Sequence, residues 1–393
     1  MIILKILLCA VLLLLVYTYL IYPMFAVLIG AGLVEYWSDE LPKVSVLVPA
    51  HNEATVIETM IKNFQLIDYP QDRIELVIFD DGSSDGTAAI VQNYTNDRIR
   101  LIHGDSRGGK AAGMNRLVES ADYSLLLFSD ANVMLSRGAV RRMVEHLADE
   151  RVGAVTGEVR LIGSDMEFSA GERLYYWLER RIQGAESRIG SVMGVDGAMY
   201  LLRRELYQVL PEDTILDDFL VSINVMRARR RIVYENAAKA TESGTPSARQ
   251  EYARRVRITA GAVQLLKRWS VPRWSQPVLW LQFISHKLLR WVSPILLLVL
   301  FVCNAMLIGE NQLFNVMFTA QLIVCSLIAS AYLIRSLRKT MLGGVLFYFG
   351  LSQTAMAAGI IKGIFNLQPA QWVKGDRGST VAGSVANGTL PSD

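Results

Sequence analysis

The chain has 393 residues, 52% of them hydrophobic, and a formal net charge of +3 at pH 7. That length allows roughly two or three structural units, and so small a charge excess argues against nucleic acid as a partner. Cys9, Cys303 and Cys325 all lie in apolar segments, which argues against a disulfide framework or a thiolate metal site.

Residues 2–34 are apolar almost throughout, interrupted by Lys5 and Pro23. A bilayer span needs about 20 such residues, so residues 1–36 are expected to form a membrane anchor. The apolar run is too long for a cleaved signal peptide. From Lys43 the pattern changes. Val44–Val48 reads as a buried strand broken by Pro49-Ala50-His51-Asn52-Glu53, and 54–67 as a helix with Val56, Met60, Ile61 and Phe64 on one face. A second strand, Ile74–Phe79, runs into Asp80-Asp81-Gly82, with Ser84 or Asp85 as N-cap of the next helix. A third, Arg98–His103, precedes Gly108-Gly109-Lys110, which opens another helix. Strands alternating with helices predict an α/β fold with a doubly wound, mostly parallel sheet.

The fourth strand, around Leu125–Ser129, stops abruptly at Asp130-Ala131-Asn132. In open α/β sheets ligands gather beyond the carboxyl ends of the strands. Asp130 and Asn132, two residues apart, can offer hard oxygen ligands to Mg²⁺ or Mn²⁺ bridging to a diphosphate. An Asx turn closing the strand would also account for the pair. Glu53, Asp80/Asp81 and Asp130 put carboxylates at three successive strand ends, and three converging at one edge make a site.

Further on, Val152–Leu161 reads as a strand, 166–188 as a helix, and Val195–Leu202 as a turn through Asp196-Gly197 leading into a strand. Ile215–Arg229 reads as a helix opening on Asp217-Asp218, a pair that the helix dipole alone would favour there. The basic segment Arg249–Arg257 is either a solvated helix face or a diphosphate clamp through Arg254, Arg255 and Arg257. The soluble domain thus covers 43–270. Residues 275–291, with Trp280, Phe283 and Trp291 among His286, Lys287 and Arg290, suit an interfacial helix. A membrane region follows over 292–368, with spans at 292–309, 313–334 and 341–366. Arg335, Arg338 and Lys339 place the soluble domain on the cytoplasmic side of a multi-pass protein of the inner (plasma) membrane. Residues 378–393 have the composition of a disordered tail.

Taken in order, VPAHNE, FDDGSSDGT, GGKAAGMN, SDAN, DGAMYLLRR, LDDF and the arginine-rich segment, flanked by membrane spans, resemble the membrane-bound family 2 glycosyltransferases. That group includes the cellulose, chitin, hyaluronan and poly-N-acetylglucosamine synthases. The resemblance covers about residues 43–265 and implies a GT-A fold and a nucleotide-diphosphate-sugar donor, a UDP-sugar in the expected case. It implies that Pro49, Asn52, Glu53, Asp80, Asp81, Lys110, Asp130 and Ala131 bind the nucleotide sugar, and that Asp218 is the catalytic base. Asp217, Asp196 and Gly197 would orient that base or bind the acceptor. Two features depart from the family pattern. The usual Asp-x-Asp is here Asp130-Ala131-Asn132, and the Trp of the processive enzymes' Gln-x-x-Arg-Trp is absent from Arg254-Arg255-Val256-Arg257-Ile258.

Transfer would pass through an oxocarbenium-like state, with Asp218 deprotonating the acceptor hydroxyl from the opposite face, which gives inversion. The expected acceptor is a growing polysaccharide or exopolysaccharide at the bilayer; a lipid acceptor receiving a single sugar is the alternative. A transporter with a degenerate soluble domain is the competing class. Few spans and no intramembrane acid pair argue against it.

Overall fold

The computed structural model describes residues 1–30, 41–162, 169–243 and 247–371. The expectations for 31–36 and for a disordered tail at 378–393 concern residues outside that set. Helix α1 (Ile2–Ile29) is long and apolar enough to cross a membrane. It contains a π-helical turn, Tyr17–Ile21, just before Pro23, where the missing N–H and the bulky ring disturb regular α-helix bonding.

The α/β domain begins with β1 (Val44–Ala50), α2 (Ile57–Gln65), β2 (Ile74–Asp80), α3 (Thr87–Gln92), β3 (Ile99–His103), α4 (Lys110–Ser120) and β4 (Leu125–Ser129). These four strands pair in parallel in the order β3-β2-β1-β4. The apolar runs arise because β1, β2 and β4 have helices on both faces. Val46, Ile57, Ile61 and Val140 belong to the core on one face. Leu47, Met114, Leu117 and Ile223 belong to the other.

After β4 come β5 (Val133–Leu135), α5 (Ala139–Glu145), β6 (Val152–Ile162), α6 (Ser169–Ile189), β7 (Met199–Arg203), α7 (Asp217–Arg227), β8 (Arg231–Ser243) and α8 (Ala248–Lys267). They extend the sheet to eight strands, β3-β2-β1-β4-β7-β6-β8-β5. Here the sheet is mixed: β7 runs antiparallel to both β4 and β6, and β5 antiparallel to β8. The turn ahead of β7 lies at the carboxyl end of β4, where Asp130 N–H reaches Ala198 O at 3.4 Å. The strand can therefore only run back along β4.

Three more helices are long and apolar enough to span a bilayer: α9 (Pro277–Ala305), α10 (Gln312–Leu333) and α11 (Met341–Ile364). The segments expected separately at 275–291 and from 292 join in α9, through a π-helical stretch at Phe283–Leu288. Phe283 packs there against Phe219 and Trp291, tying α9 to the α/β domain. Helix α11 lies directly on α8. A Cβ at Gly359 would come within 2.7 Å of Val256 O, and one at Gly363 within 2.9 Å of Ala260 O. Such close backbone approach is what small residues permit between helices.

Candidate active site

The carboxyl ends of β1, β2 and β4 open on a cavity of about 270 Å³. Its lining includes Pro49, Glu53, Asp81, Lys110, Asp130, Ala131 and Asn132 from the parallel half of the sheet. Asp196 and Gly197 come from the turn before β7, Asp217 and Asp218 from the start of α7, and Arg254 and Arg257 from α8.

The glycine-rich loop is held by Asp81, whose two carboxylate oxygens accept from Gly108 N (2.7 Å) and Gly109 N (2.9 Å). Gly109 has φ +92°, a conformation open to glycine that lets the chain turn into α4. Lys110, the first residue of α4, thereby reaches into the cavity. Its Nζ lies 2.8 Å from Asp130 Oδ1, 3.8 Å from Asp217 Oδ2 and 3.4 Å from Gly197 O. Burial alone would lower its pKa, but Asp130 and Asp217 outweigh that and hold the ammonium above its ordinary range.

Asp218 lies at the first turn of α7, its carboxylate against Gly197 and accepting from Phe219 N at 2.7 Å. Its recess among protein atoms, then the charge of Asp217, push it up to about 7 against the opposing pull of Lys110. A carboxyl poised near neutrality is what general base catalysis at physiological pH needs. Asp217 is 5% exposed, and among the described residues its Oδ2 has no hydrogen-bond partner.

Three expected site residues do not line the cavity. Asn52, at φ 55°, instead organises the loop after β2, accepting from Ser84 N (2.8 Å) and donating from its backbone to Ser83 Oγ (2.9 Å). Asp80 is buried beneath the loop and accepts from Ser83 N at 3.3 Å. Arg255 points away from the cavity, towards α11. Its Nε donates to Glu251 Oε1 (2.7 Å), its Nη2 to Tyr348 of α11, and its guanidinium stacks over Tyr175 and Tyr348. Adjacent helix positions point about 100° apart, so Arg254 and Arg255 cannot share a face. Arg254, Arg257 and Ile258 do share one, and they are the α8 residues in the lining. Arg254 donates to Tyr176 OH (2.6 Å) and Glu251 Oε2 (3.2 Å), and Arg257 to Ala370 O (3.3 Å).

The lining also contains His51, Arg107 and Glu242, which sequence reasoning did not single out. His51 stood inside the VPAHNE motif, and its Nδ1 lies 2.7 Å from Asp81 O. Glu242 left no signal in the sequence, because only the β5–β8 pairing brings it to the site. Its recess and the charge of Asp130 push it up to about 7.

Seven carboxylates (Glu53, Asp81, Asp130, Asp196, Asp217, Asp218, Glu242) face four cationic side chains (Arg107, Lys110, Arg254, Arg257) in the lining. A diphosphate would add to the excess, so this hard-oxygen donor set fits a divalent cation. No cluster of three or more His, Cys, Asp or Glu among the described residues is arranged to hold a metal by itself.

A family model described as glycosyl transferase family 2 matches residues 45–210. A probable glycosyltransferase, YdaM, from Bacillus subtilis is 29% identical over 213 residues, which are 51% of this chain and 50% of that protein. A poly-β-1,6-N-acetyl-D-glucosamine synthase from Staphylococcus aureus is 28% identical over 207 residues, again 51% of this chain and 50% of that protein. The chain spans about half the length of these curated relatives. Among solved structures, the Pyrobaculum calidifontis mannosyltransferase PcManGT in complex with GDP-Man and Mn²⁺ aligns over 92% of this chain and 100% of that one. With a TM-score of 0.73 at 22% identity, it shares the fold.

Proposed function

We propose that this chain, whose residues 45–210 match the family 2 glycosyltransferase model, acts as such an enzyme and transfers a sugar, with inversion, from a UDP-sugar to a growing polysaccharide or exopolysaccharide at a membrane. The observation that carries the reading is the division of charge within the cavity. Lys110, Arg254 and Arg257 supply the cations for a diphosphate, while Asp218, pushed up to about 7, stands at the start of α7 as a base.

Each residue then has a role that its surroundings support. Asp81 fixes the glycine-rich loop through Gly108 and Gly109 and so sets the position of Lys110. Lys110 exchanges part of its contact with Asp130 for donor phosphate oxygens. Arg254 and Arg257 offset the charge that grows on the leaving diphosphate, an effect amplified away from bulk water. Asp130 would hold Mg²⁺ or Mn²⁺, which when bound supplies further charge stabilisation to the diphosphate. Asp218 takes the acceptor hydroxyl proton, and Asp217 and Asp196 orient the acceptor or the base. One base and one displacement give a β-linkage from an α-linked donor.

A lipid acceptor receiving a single sugar is the second reading. It is favoured by the close packing of α8, which carries Arg254 and Arg257, on the apolar helix α11. Membranes containing the protein should be incubated with a panel of radiolabelled nucleotide sugars and the products sized. A ladder of lengthening product supports the polymer, a single extractable glycolipid supports the lipid acceptor, and no incorporation from any donor rejects both. The reading requires the catalytic domain to face the cytoplasm, where nucleotide sugars are made. An impermeant thiol reagent added from outside should therefore fail to label a cysteine introduced within 93–97.

A further inference from the structure

Asp130-Ala131-Asn132 offers one carboxylate where a pair would serve a divalent cation better, and the partner of Asn132 suggests where a second charge comes from. Strand β5 starts one residue after Asn132 and pairs antiparallel with β8 so that Val133 faces Glu242. Asn132 is 2% exposed, and its Nδ2 donates to Glu242 Oε1 at 3.1 Å. A carboxylate can only accept, so the Asn132 NH₂ group must face Glu242 and hold it.

Glu242 lines the same cavity as Asp130. Among the described residues it forms no ion pair, and Asn132 is the one side chain that hydrogen-bonds it. The neighbouring Arg254 is committed to Glu251 and Tyr176. A recessed carboxylate beside another carboxylate, held in place but without a counter-ion, is unfavourable unless a cation or a proton joins it. A second observation in the same cavity also points to a missing ligand. Asp217 Oδ2, on a side chain 8% exposed, has no hydrogen-bond partner among the described residues and meets Lys110 Nζ only at 3.8 Å.

We propose that Glu242 is a carboxylate ligand to the divalent cation, supplying with Asp130 the second negative charge that Asn132 lacks, and that Asn132 is the positioning residue that aims it. Donor phosphate oxygens and water complete the coordination, as is usual for Mg²⁺ and Mn²⁺. This rests on the nucleotide-diphosphate reading given above. It also accounts for a polar asparagine at a buried place: its amide holds Glu242 rather than the metal.

Mn²⁺ binding to the full-length protein in detergent, followed by the loss of the free Mn²⁺ electron paramagnetic resonance signal, tests this without turnover. Titrations are run with and without UDP, next to thermal melts without metal. Glu242→Gln keeps the size and still accepts from Asn132, and should weaken Mn²⁺ binding about tenfold or more. Adding Asn132→Asp to that variant moves the charge to the neighbouring side chain and should recover most of the lost affinity. Wild-type Mn²⁺ affinity in folded Glu242→Gln, or no recovery in the double variant, would overturn the assignment. Should Glu242→Gln not fold, Asn132→Ala decides: it removes the amide that aims Glu242 and leaves the carboxylate, so Mn²⁺ binding should weaken, and wild-type Mn²⁺ affinity in the folded variant rejects the site. If wild-type protein binds Mn²⁺ but no UDP, the donor reading fails while the UDP-free titrations still judge Glu242. If it binds both and Glu242→Gln changes neither, Glu242 fails and the donor reading stands.

Discussion

Two clusters of ionisable groups, one at the junction with the membrane helices and one in the cavity, differ in how fully their charges are matched. Where the domain meets the membrane helices, His286 is fully buried between Glu186 (Nδ1 to Oε2, 2.8 Å) and Glu179 (Nε2 to Oε1, 2.9 Å). Arg290 reaches the other oxygen of Glu179 at 2.6 Å, Lys287 lies 3.4 Å from it, and Tyr22 of α1 donates to Glu186. Burial alone would raise Glu179, yet His286, Lys287 and Arg290 hold it well below the usual carboxylate range. In the cavity the balance runs the other way. Asp218 and Glu242 are pushed up to about 7, and among the described residues Lys110 is the one side chain that bonds the Asp130 carboxylate. A satisfied buried network fixes one arrangement of its elements, whereas an unsatisfied one stores a demand for a ligand. The first cluster clamps α1, α6 and α9 together; the second, on the function proposed above, is matched only when its ligand binds.

Substitutions should separate the two. The largest effect is expected at Asp218. Asp218→Asn keeps shape but not basicity, so turnover should fall about 10²–10⁴-fold with the donor Kd nearly unchanged, as read by single-turnover transfer and UDP titration. Full turnover in the folded variant would remove Asp218 as the base. At the membrane junction, His286→Leu leaves two carboxylates short of a partner. It should cost about 3–5 kcal/mol of stability, seen as a lower melting temperature, while the remaining folded protein binds UDP normally. Selective loss of UDP binding with unchanged melting would place His286 in the wrong category.

The pH dependence should differ in sign. Asp218 holds its proton more tightly in the folded chain than in the unfolded one, where an aspartate titrates near about 3.9. Its contribution to stability is therefore present below about 4 and declines as pH rises towards about 7. Over the same interval activity should rise, because the base is being freed. Glu179 is depressed, so its contribution is fully present above the unfolded glutamate value near about 4.3 and is lost only as pH falls below it. Between pH 6 and 8 a turnover profile should thus show an acid limb near 7 that Asp218→Asn abolishes. An identical limb in the variant would assign it to another group.

Smaller effects are expected on α8. Arg257→Ala should raise the donor Kd about tenfold, roughly 1.4 kcal/mol. Arg255→Ala should leave Kd unchanged and lower the melting temperature, because Arg255 serves Glu251 and Tyr348. Equal losses of affinity in the two variants would show that both face the donor.

That last contrast marks how far the sequence could be read. The parallel half of the sheet was legible, since β1, β2 and β4 are short apolar runs that stop at Pro49, Asp80 and Asp130. So were the apolar helices at both ends, and the carboxylates of Asp130, Asp217 and Asp218 that meet in one cavity. Arg255 was grouped with Arg254 and Arg257 by sequence adjacency, although helical periodicity already separates it from them. The reversed β7 was not legible, because direction within a sheet depends on partners distant in sequence. Glu242 was invisible for the same reason: it is 110 residues from Asn132 and reaches it only through strand register. Asn52 and Asp80 look like ligands in the sequence, but their local hydrogen bonds shape the loop around the cavity.

The central claim is that the cavity's unmatched charges await a metal-bound nucleotide diphosphate. Calorimetric titration of UDP into the full-length protein, with and without Mn²⁺, and into Asp130→Ala, tests it most directly. The account predicts binding that weakens at least about tenfold when Mn²⁺ is withheld and that Mn²⁺ no longer strengthens in Asp130→Ala. Failure of wild-type protein to bind UDP, or UDP binding indifferent both to Mn²⁺ and to Asp130→Ala, would contradict it.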